Sequence, residues 1–260
     1  MPGIGRYLAA VQSELPSEVY EAREHWDASL TNAWLTALRR LLLRIQQYGH
    51  GGAILITPDA DLRDLNVKYR IAYPRFRSSL HRRAVFTIRS TQADDEIIND
   101  YLHKEDSDEI PTGLYLDASV AEIDLDEARD ELDGVLWFVS LLSRVDGLVL
   151  LTPDLDVRGF GVEIQTSVPP ASLLRATDAD ASPERRVAIN YNHFGTRHRS
   201  MMRYCASVPG SVGFVVSQDG DVRAMTLVGG NLIVWDNVKL RLDDFARHRP
   251  KTKKDAPPVA

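Results

Sequence analysis

The sequence predicts a mixed α/β fold in which helices flank a sheet that contains both parallel and antiparallel strands. An amphipathic helical pattern is followed twice by a short apolar run, which is the order of a helix that leads into a buried strand. Glycine-containing turns join further β-type runs towards the C-terminus and indicate hairpins. Because hairpins are antiparallel, a purely parallel, doubly wound sheet is excluded.

The first α/β unit is a helix around residues 34–45, ended by Gly49 to Gly52, and a strand from Ala53 to Thr57. Arg39, Arg40 and Arg44 lie mostly opposite the apolar positions, which are Trp34, Leu38, Leu41, Leu42 and Ile45. The second unit repeats this order, with a strand from Leu148 to Thr152. Its helical stripe comprises Ala128, Leu132, Val135, Leu136, Val139 and Leu142. Residues 155–164 then predict a return strand, in which Gly159 and Gly161 indicate a bulge or a close backbone approach.

A third unit is predicted as a helix from Arg197 to Ser207, a strand from Gly213 to Ser217 and a meander that ends at Trp235. Two poorly patterned stretches, Thr91 to Pro111 and Gln165 to Pro183, are predicted to be surface loops. We expect an N-terminal helical extension over residues 1–29 and one domain over 30–245. Residues 246–260, rich in lysine and proline, are expected to be a disordered tail.

Composition limits where the protein acts and what it binds. No apolar run approaches the roughly 18 to 20 residues that cross a bilayer, and Met1 to Ala10 lacks a signal-peptide pattern, so we expect a cytoplasmic protein that does not bind membranes. The single cysteine, Cys205, fits a reducing compartment and is predicted to be a buried apolar residue. The net charge of −6 argues against sequence-independent binding to nucleic acid. A small phosphate-bearing ligand is compatible with the clustered arginines, which are Arg185, Arg186, Arg197, Arg199 and Arg203.

Phosphate-loop, zinc-protease and nucleophile-elbow signatures are absent from the sequence, which leaves two short motifs at element boundaries. The first is Asp146-Gly147-Leu148, between the second predicted helix and its strand. The carboxylate of Asp146 could hold a divalent metal, and Gly147 would let a phosphate or sugar approach the backbone. The alternative is an ordinary helix-to-strand turn in which glycine supplies a positive φ.

The second motif is Gly195 to Ser200, at a predicted helix N-terminus. Free backbone N–H groups, the Thr196 hydroxyl and the guanidinium groups of Arg197 and Arg199 would together form an anion site. Cations are disfavoured at a helix N-terminus, so an anion that offsets them would explain their presence. The alternative is a solvated basic turn capped by Thr196.

Together the motifs resemble the diadenylate cyclase (DAC) family, whose paired signature is Asp-Gly-Ala followed downstream by Gly-Thr-Arg-His-Arg. Asp146-Gly147-Leu148 and Gly195 to Arg199 occur in the family's order. The strand that ends at Ser217 is similar to the segment in which the family places a phosphate-binding serine. The likeness covers about Leu30 to Val238 and is strongest from Val145 to Gly220.

The resemblance implies a DAC-like fold, a cytoplasmic homodimer and the condensation of two ATP molecules into cyclic di-AMP and pyrophosphate. It implies that Asp146 ligates Mg²⁺ or Mn²⁺ and helps to activate the ribose 3′-hydroxyl, beside Gly147 and Leu148. Thr196, Arg197, His198 and Arg199, after Gly195, would hold the triphosphate, and Ser217 would add a phosphate contact. In nucleotidyl transfer a protein mainly positions reactants and neutralises charge, which agrees with these roles.

Three departures from the family pattern keep a second reading open. Leu148 replaces the usual alanine, Gln218 stands where many active members have an acidic residue, and the gap between the motifs is long. The retained Asp146 favours a nucleotidyltransferase, whereas Gln218 and the long gap favour a DAC-derived nucleotide sensor that does not cyclise ATP. A structural protein with a solvated basic turn is the third reading.

Overall fold

The computed structural model of the chain describes residues 2–16, 26–58, 62, 64–98 and 110–240. The helices of this part are α1 (Pro2–Glu14), α2 (Trp26–Gln47), α3 (Arg75–Asp95), α4 (Thr112–Leu142) and α5 (Thr196–Ser207). The strands are β1 (Gly52–Ile56), β2 (Leu65–Tyr73), β3 (Leu148–Leu151), β4 (Val157–Ile164), β5 (Leu173–Ala176), β6 (Arg186–Ala188), β7 (Val212–Val216), β8 (Val222–Val228) and β9 (Asn231–Trp235).

The described strands form one mixed sheet in the order β2-β4-β3-β1-β7-β8-β9-β5-β6. At its centre β1 runs parallel to β3 and antiparallel to β7. All residues of these three strands are buried, as expected of strands covered on both faces. The predicted mixed sheet with flanking helices is therefore confirmed.

The alternation of side chains along β1 assigns each face of the sheet to a different layer of helices. Ile54 and Ile56 belong to the apolar cluster formed with α1 to α4, whereas Ala53 and Leu55 belong to the cluster formed with α5. Cys205 of α5 lies in the second cluster and is fully buried, as predicted. Burial raises the pKa of its thiol to about 12, so the group remains a neutral thiol at neutral pH.

The predicted α/β units are confirmed with small differences at their ends, but the prediction missed β2 and most of α3. It was also wrong at the start of the stretch from Thr91 to Pro111, because α3 continues to Asp95. This helix has many charged residues, which hide its apolar stripe. The stripe is nevertheless buried and includes Phe76, Leu80, Val85 and Ile88. Residues 99–109 lie outside the described part of the chain.

The prediction that Gln165 to Pro183 is a surface loop was wrong in its middle, where Leu173 to Ala176 form β5. This strand pairs in parallel with β9 and antiparallel with β6. A four-residue strand beside two prolines gives almost no periodic signal, so its partner determines its conformation. The segment therefore extends the sheet beyond β9.

The N-terminal helix packs against the same helical layer as the rest of the protein. Tyr7 and Val11 of α1 are buried in the cluster that contains α2 to α4, and residue 30 lies inside α2. The predicted tail, 246–260, lies outside the described residues. No helix in the described ranges is both long and apolar enough to cross a membrane.

Candidate functional site

The topology brings the predicted site segments to one edge of the sheet. Since β1 and β3 are parallel, Gly51 before β1 and Asp146 before β3 lie at the same edge. Ser217 follows β7, which is antiparallel to β1 and therefore ends at this edge. Residues from the N-terminus of α5 line clefts with both Asp146 and Ser217. Residues more than 70 positions apart in sequence are thus brought together.

The first cleft, here called the Asp146 cleft, has a volume of about 570 Å³. Asp146 is exposed at it, and Leu148 is buried, with its side chain in the apolar cluster below α5. The described residues that line it are Ala53, Asp146, Gly147, Leu148, Val162, Glu163, Ile164, Gln165, Thr196, Arg197, Ser200, Met201 and Arg203. Both predicted motifs therefore face one space, which is large enough for part of a nucleotide.

Gly147 fixes the position of Asp146 through a close backbone contact. Its φ is +114°, and a Cβ atom here would lie 2.5 Å from the carbonyl carbon of Gly161 in β4. Gly161 has a φ of +62°, and a Cβ atom there would lie 3.4 Å from the Asp146 carbonyl oxygen. The positive φ of Gly147, which the alternative of a helix-to-strand turn expected, and the close backbone approach expected from the glycines of β4 are both present. Both belong to one contact, in which the backbones of Gly147 and Gly161 approach each other.

The N-terminus of α5 presents its backbone donors without a side-chain cap among the described residues. Gly195 is the N-cap residue, and the first helical hydrogen bond runs from the Arg199 N–H to the Gly195 carbonyl oxygen at 3.0 Å. The preceding N–H groups have no partner inside the helix. The Thr196 cap of the alternative is therefore wrong, whereas a solvated basic turn stays the second interpretation of this segment.

The second cleft, here called the Ser217 cleft, has a volume of about 420 Å³ and shares Thr196 and Arg197 with the Asp146 cleft. The described residues that line it are Gly195, Thr196, Arg197, His198, Val215, Val216, Ser217, Gln218 and Asp219. The Arg197 side chain reaches towards β1, because a Cβ atom on Gly51 would lie 3.1 Å from Arg197 Nη1. Arg197 thus lies between the two clefts.

A hydrogen-bonded network supports the Ser217 cleft from β8. Arg223 donates from Nε to Asp236 Oδ1 at 2.7 Å, and its Nη1 lies 3.2 Å from His198 Nε2 and 3.4 Å from Ser217 Oγ. Burial, followed by the positive charges of Arg223 and Arg197, lowers the pKa of His198 to about 4. His198 is therefore a neutral imidazole at neutral pH.

A second hydrogen bond ties the turn after Ser217 to the helical layer on the other face of the sheet. Gln46 Nε2, near the end of α2, donates to the Gly220 carbonyl oxygen at 2.6 Å. The Gly220 N–H in turn donates to the Ser217 carbonyl oxygen at 3.1 Å. Gly220 in this turn is therefore held through both its carbonyl oxygen and its N–H group.

The structure brings most of the predicted residues together but places Arg199 apart from them. Asp146, Gly147, Leu148, Thr196 and Arg197 line the Asp146 cleft, while Gly195, His198 and Ser217 line the Ser217 cleft. Arg199 is not among the described residues that line either cleft. Successive helical residues point about 100° apart, so four consecutive side chains of α5 cannot all face one ligand.

Three charged residues at the clefts lie outside the two predicted site motifs, although Arg203 belongs to the arginine cluster noted in the sequence. Arg203 lies on the same face of α5 as Thr196 and Ser200. Their spacing of four and three residues could have been recognised in the sequence. Glu163 is paired with Lys68 at 2.6 Å at the rim of the Asp146 cleft, and a hydrogen bond from Lys68 lowers the pKa of Glu163. Arg223 and Glu163 depend on strand register, which no local pattern in the sequence indicates.

The donor set of the Asp146 cleft fits a metal ion that arrives with a nucleotide. Among the described residues, no group of three or more His, Cys, Asp or Glu side chains could hold a metal by itself. Mg²⁺ is commonly bound by one or two carboxylates, while water and substrate phosphates supply its other ligands. Asp146, exposed at the cleft, is suited to supply such a carboxylate.

No protein-family model matches the chain, and no curated protein matches it significantly. The resemblance to diadenylate cyclases therefore rests on the two motifs, their order and the clefts at which they meet.

We expect Gly147→Ala to destabilise the protein, because alanine would be forced into a positive φ with its Cβ atom against the β4 backbone. The free energy of unfolding, measured by urea denaturation, should fall by about 1 to 3 kcal/mol. Gly134→Ala is the matched control, since Gly134 is exposed within α4 and a Cβ atom there meets nothing within 4 Å. The control should be about 0.5 to 1 kcal/mol more stable. Equal stability of Gly147→Ala and the wild type would contradict the contact.

Proposed function

We propose that the protein binds ATP across the Asp146 and Ser217 clefts and is a diadenylate cyclase that condenses two ATP molecules into cyclic di-AMP and two molecules of pyrophosphate. The observation that carries the proposal is the common lining of one cleft by Asp146-Gly147-Leu148 and Thr196-Arg197. A lone Asp-Gly turn or a lone basic turn has a simple structural explanation. A carboxylate that shares a cleft with an uncapped, cationic helix N-terminus is better explained by a ligand that carries phosphates and a metal.

The chemistry of the two clefts suits different parts of one nucleotide. Arg197, between the clefts, and the free N–H groups of α5 would bind phosphate oxygens, and Ser217 would donate a further hydrogen bond. The Asp146 cleft has an apolar floor that includes Leu148, Val162 and Met201, which suits the ribose and base. The triphosphate would then lie along the N-terminus of α5.

Asp146 would hold Mg²⁺ or Mn²⁺ together with phosphate oxygens. The metal would supply charge neutralisation and would favour the deprotonated form of the attacking 3′-hydroxyl. The protein's own contribution would be to fix the reactants, because the Gly147–Gly161 contact holds the backbone that carries Asp146 and Arg197 would bind the phosphates.

A nucleotide sensor that does not cyclise ATP is the second candidate, and one observation favours it. Gln218 lines the Ser217 cleft, where many active family members have an acidic residue. The segment Gln165 to Pro183, which makes the gap between the motifs long, gives less support to the sensor, because its strand β5 extends the sheet beyond β9 and Gln165 alone among its residues lines the Asp146 cleft.

We expect Arg197→Ala to weaken ATP binding, because it removes the cation between the clefts. A charge-assisted hydrogen bond contributes about 1.5 to 3 kcal/mol, so the dissociation constant from calorimetry should rise about ten- to a hundredfold. Arg158→Ala is the control, since Arg158 is exposed at the opposite end of β4 and carries the same charge. If both variants bind ATP as tightly as the wild type, the N-terminus of α5 is a solvated surface.

Asp146→Asn separates catalysis from binding, because it removes the charge and keeps the shape of the side chain. With ATP and Mn²⁺, the wild type should form cyclic di-AMP, and the variant's turnover should fall by about two orders of magnitude or more, while ATP binding is largely kept. Chromatography of the products measures turnover, and Asp130→Asn on the exposed surface of α4 should retain full activity. A wild type that binds ATP but yields no cyclic dinucleotide with Mg²⁺, Mn²⁺ or Co²⁺ would be a sensor.

The proposed reaction also requires self-association, since two bound ATP molecules must face each other for reciprocal attack by their 3′-hydroxyls. A two-fold symmetric homodimer places identical clefts opposite each other. Light scattering should therefore show a dimer in the presence of ATP. A wild type that stays monomeric at high concentration with ATP bound could not form the product in this way.

A further inference from the structure

Arg223 contacts the Ser217 cleft from behind rather than lining it. Its side chain is only 22% exposed, and its Nε donates to Asp236 Oδ1 at 2.7 Å, while Nη2 lies 3.6 Å from Asp221 Oδ2. The remaining nitrogen, Nη1, is directed at His198 Nε2 and Ser217 Oγ. Two carboxylates thus hold the guanidinium group, while its Nη1 contacts two residues of the cleft.

The chemistry of arginine determines the protonation of both partners. A guanidinium group has only donors, so His198 Nε2 and Ser217 Oγ must be acceptors in these contacts. His198 is therefore neutral with its proton on Nδ1. The Ser217 hydroxyl proton, which is not needed for Arg223, is free to point elsewhere.

We propose that Arg223 is a positioning residue that makes His198 Nδ1 and the Ser217 hydroxyl hydrogen-bond donors to a phosphate-bearing ligand in the Ser217 cleft. This inference rests on the proposed function, because it names residues that bind the triphosphate of ATP. It adds a residue that touches no ligand and lies outside both sequence motifs.

The charges around His198 agree with this arrangement. The groups that act on it are Arg223 and Arg197, which disfavour its protonation, and Asp236 and Asp219, which favour it. Burial is the largest cause and also disfavours the charged ring. The imidazole therefore contributes a neutral N–H donor to an anion, and its charge does not change between pH 6 and pH 8.

A purely structural ion pair between β8 and β9 would need only Asp236. Arg175 of β5 provides a comparison, because its Nη1 also lies near Asp236, at 3.8 Å from Oδ2, and it contacts neither His198 nor Ser217 in the described part of the chain. Arg175 and Arg223 thus share one carboxylate, and the contacts with the cleft distinguish them.

Nitrogen-15 NMR of the His198 ring in the ligand-free protein tests the arrangement without reference to ATP. The wild type should show the Nδ1–H tautomer, and its titration midpoint should lie near pH 4. Arg223→Met removes the donor and a neighbouring positive charge, so the preference for Nδ1–H should be lost and the midpoint should move upwards. Arg175→Met should leave both unchanged. An unchanged tautomer and midpoint in folded Arg223→Met would overturn the proposal.

Calorimetry with ATP at pH 7.5 then tests the consequence for binding. Arg223→Met should raise the dissociation constant roughly tenfold, as expected when two hydrogen bonds lose their geometry, and Arg175→Met should change it by less than about twofold. Arg223→Lys keeps the charge, but one ammonium group cannot contact His198, Ser217 and Asp236 together, so this variant should also bind ATP more weakly. Full affinity in Arg223→Met would overturn the role of Arg223, whereas a wild type that does not bind ATP would overturn the proposed function itself.

Discussion

The pairing of β1 with β3 on one side and β7 on the other is the constraint on which the rest of the structure depends. These three strands are fully buried, and their directions determine which loops lie at the same end of the strands. Because β1 is parallel to β3 and antiparallel to β7, the starts of β1 and β3 and the end of β7 lie at the same end of these strands. The motifs meet because the apolar strands between them fix this arrangement, and hydrophobic burial holds it.

The charges around the N-terminus of α5 are a second feature of the site. The N-terminus of α5 carries Arg197 in its first turn and no acidic residue, which is the reverse of the usual preference at this end of a helix. Asp221 and Asp236 hold Arg223, and Glu163 pairs with Lys68, whereas Asp146 and Asp219 line the clefts beside Arg197. The clefts therefore combine a cationic helix N-terminus with carboxylates and do not carry charges of one sign alone.

The sequence predicted those parts of the fold and site that have strong local patterns. Apolar periodicity located α2, α4, α5 and the central strands, and Gly159 and Gly161 in the predicted return strand indicated a bulge or a close backbone approach, which Gly161 makes with Gly147. It could not locate α3, whose charged residues hide its buried stripe, or β5, which forms through pairing with β9. Arg223 shows the same limit at the site, because its contact with His198 depends on the register of β8 against β7. Contacts set by tertiary pairing leave no local signal.

The segment that lengthens the gap between the two motifs has a consequence for how the sheet ends. By pairing with β9, β5 covers a strand that would otherwise present free backbone groups to solvent, and β6, only three residues long, becomes the edge on that side. At the other edge, β2 carries the exposed charges of Lys68 and Arg70. Short edge strands and outward charges both oppose pairing with the strands of other molecules. β5 and β6 thus help to keep the nine-stranded sheet of the described residues from aggregating through its edges.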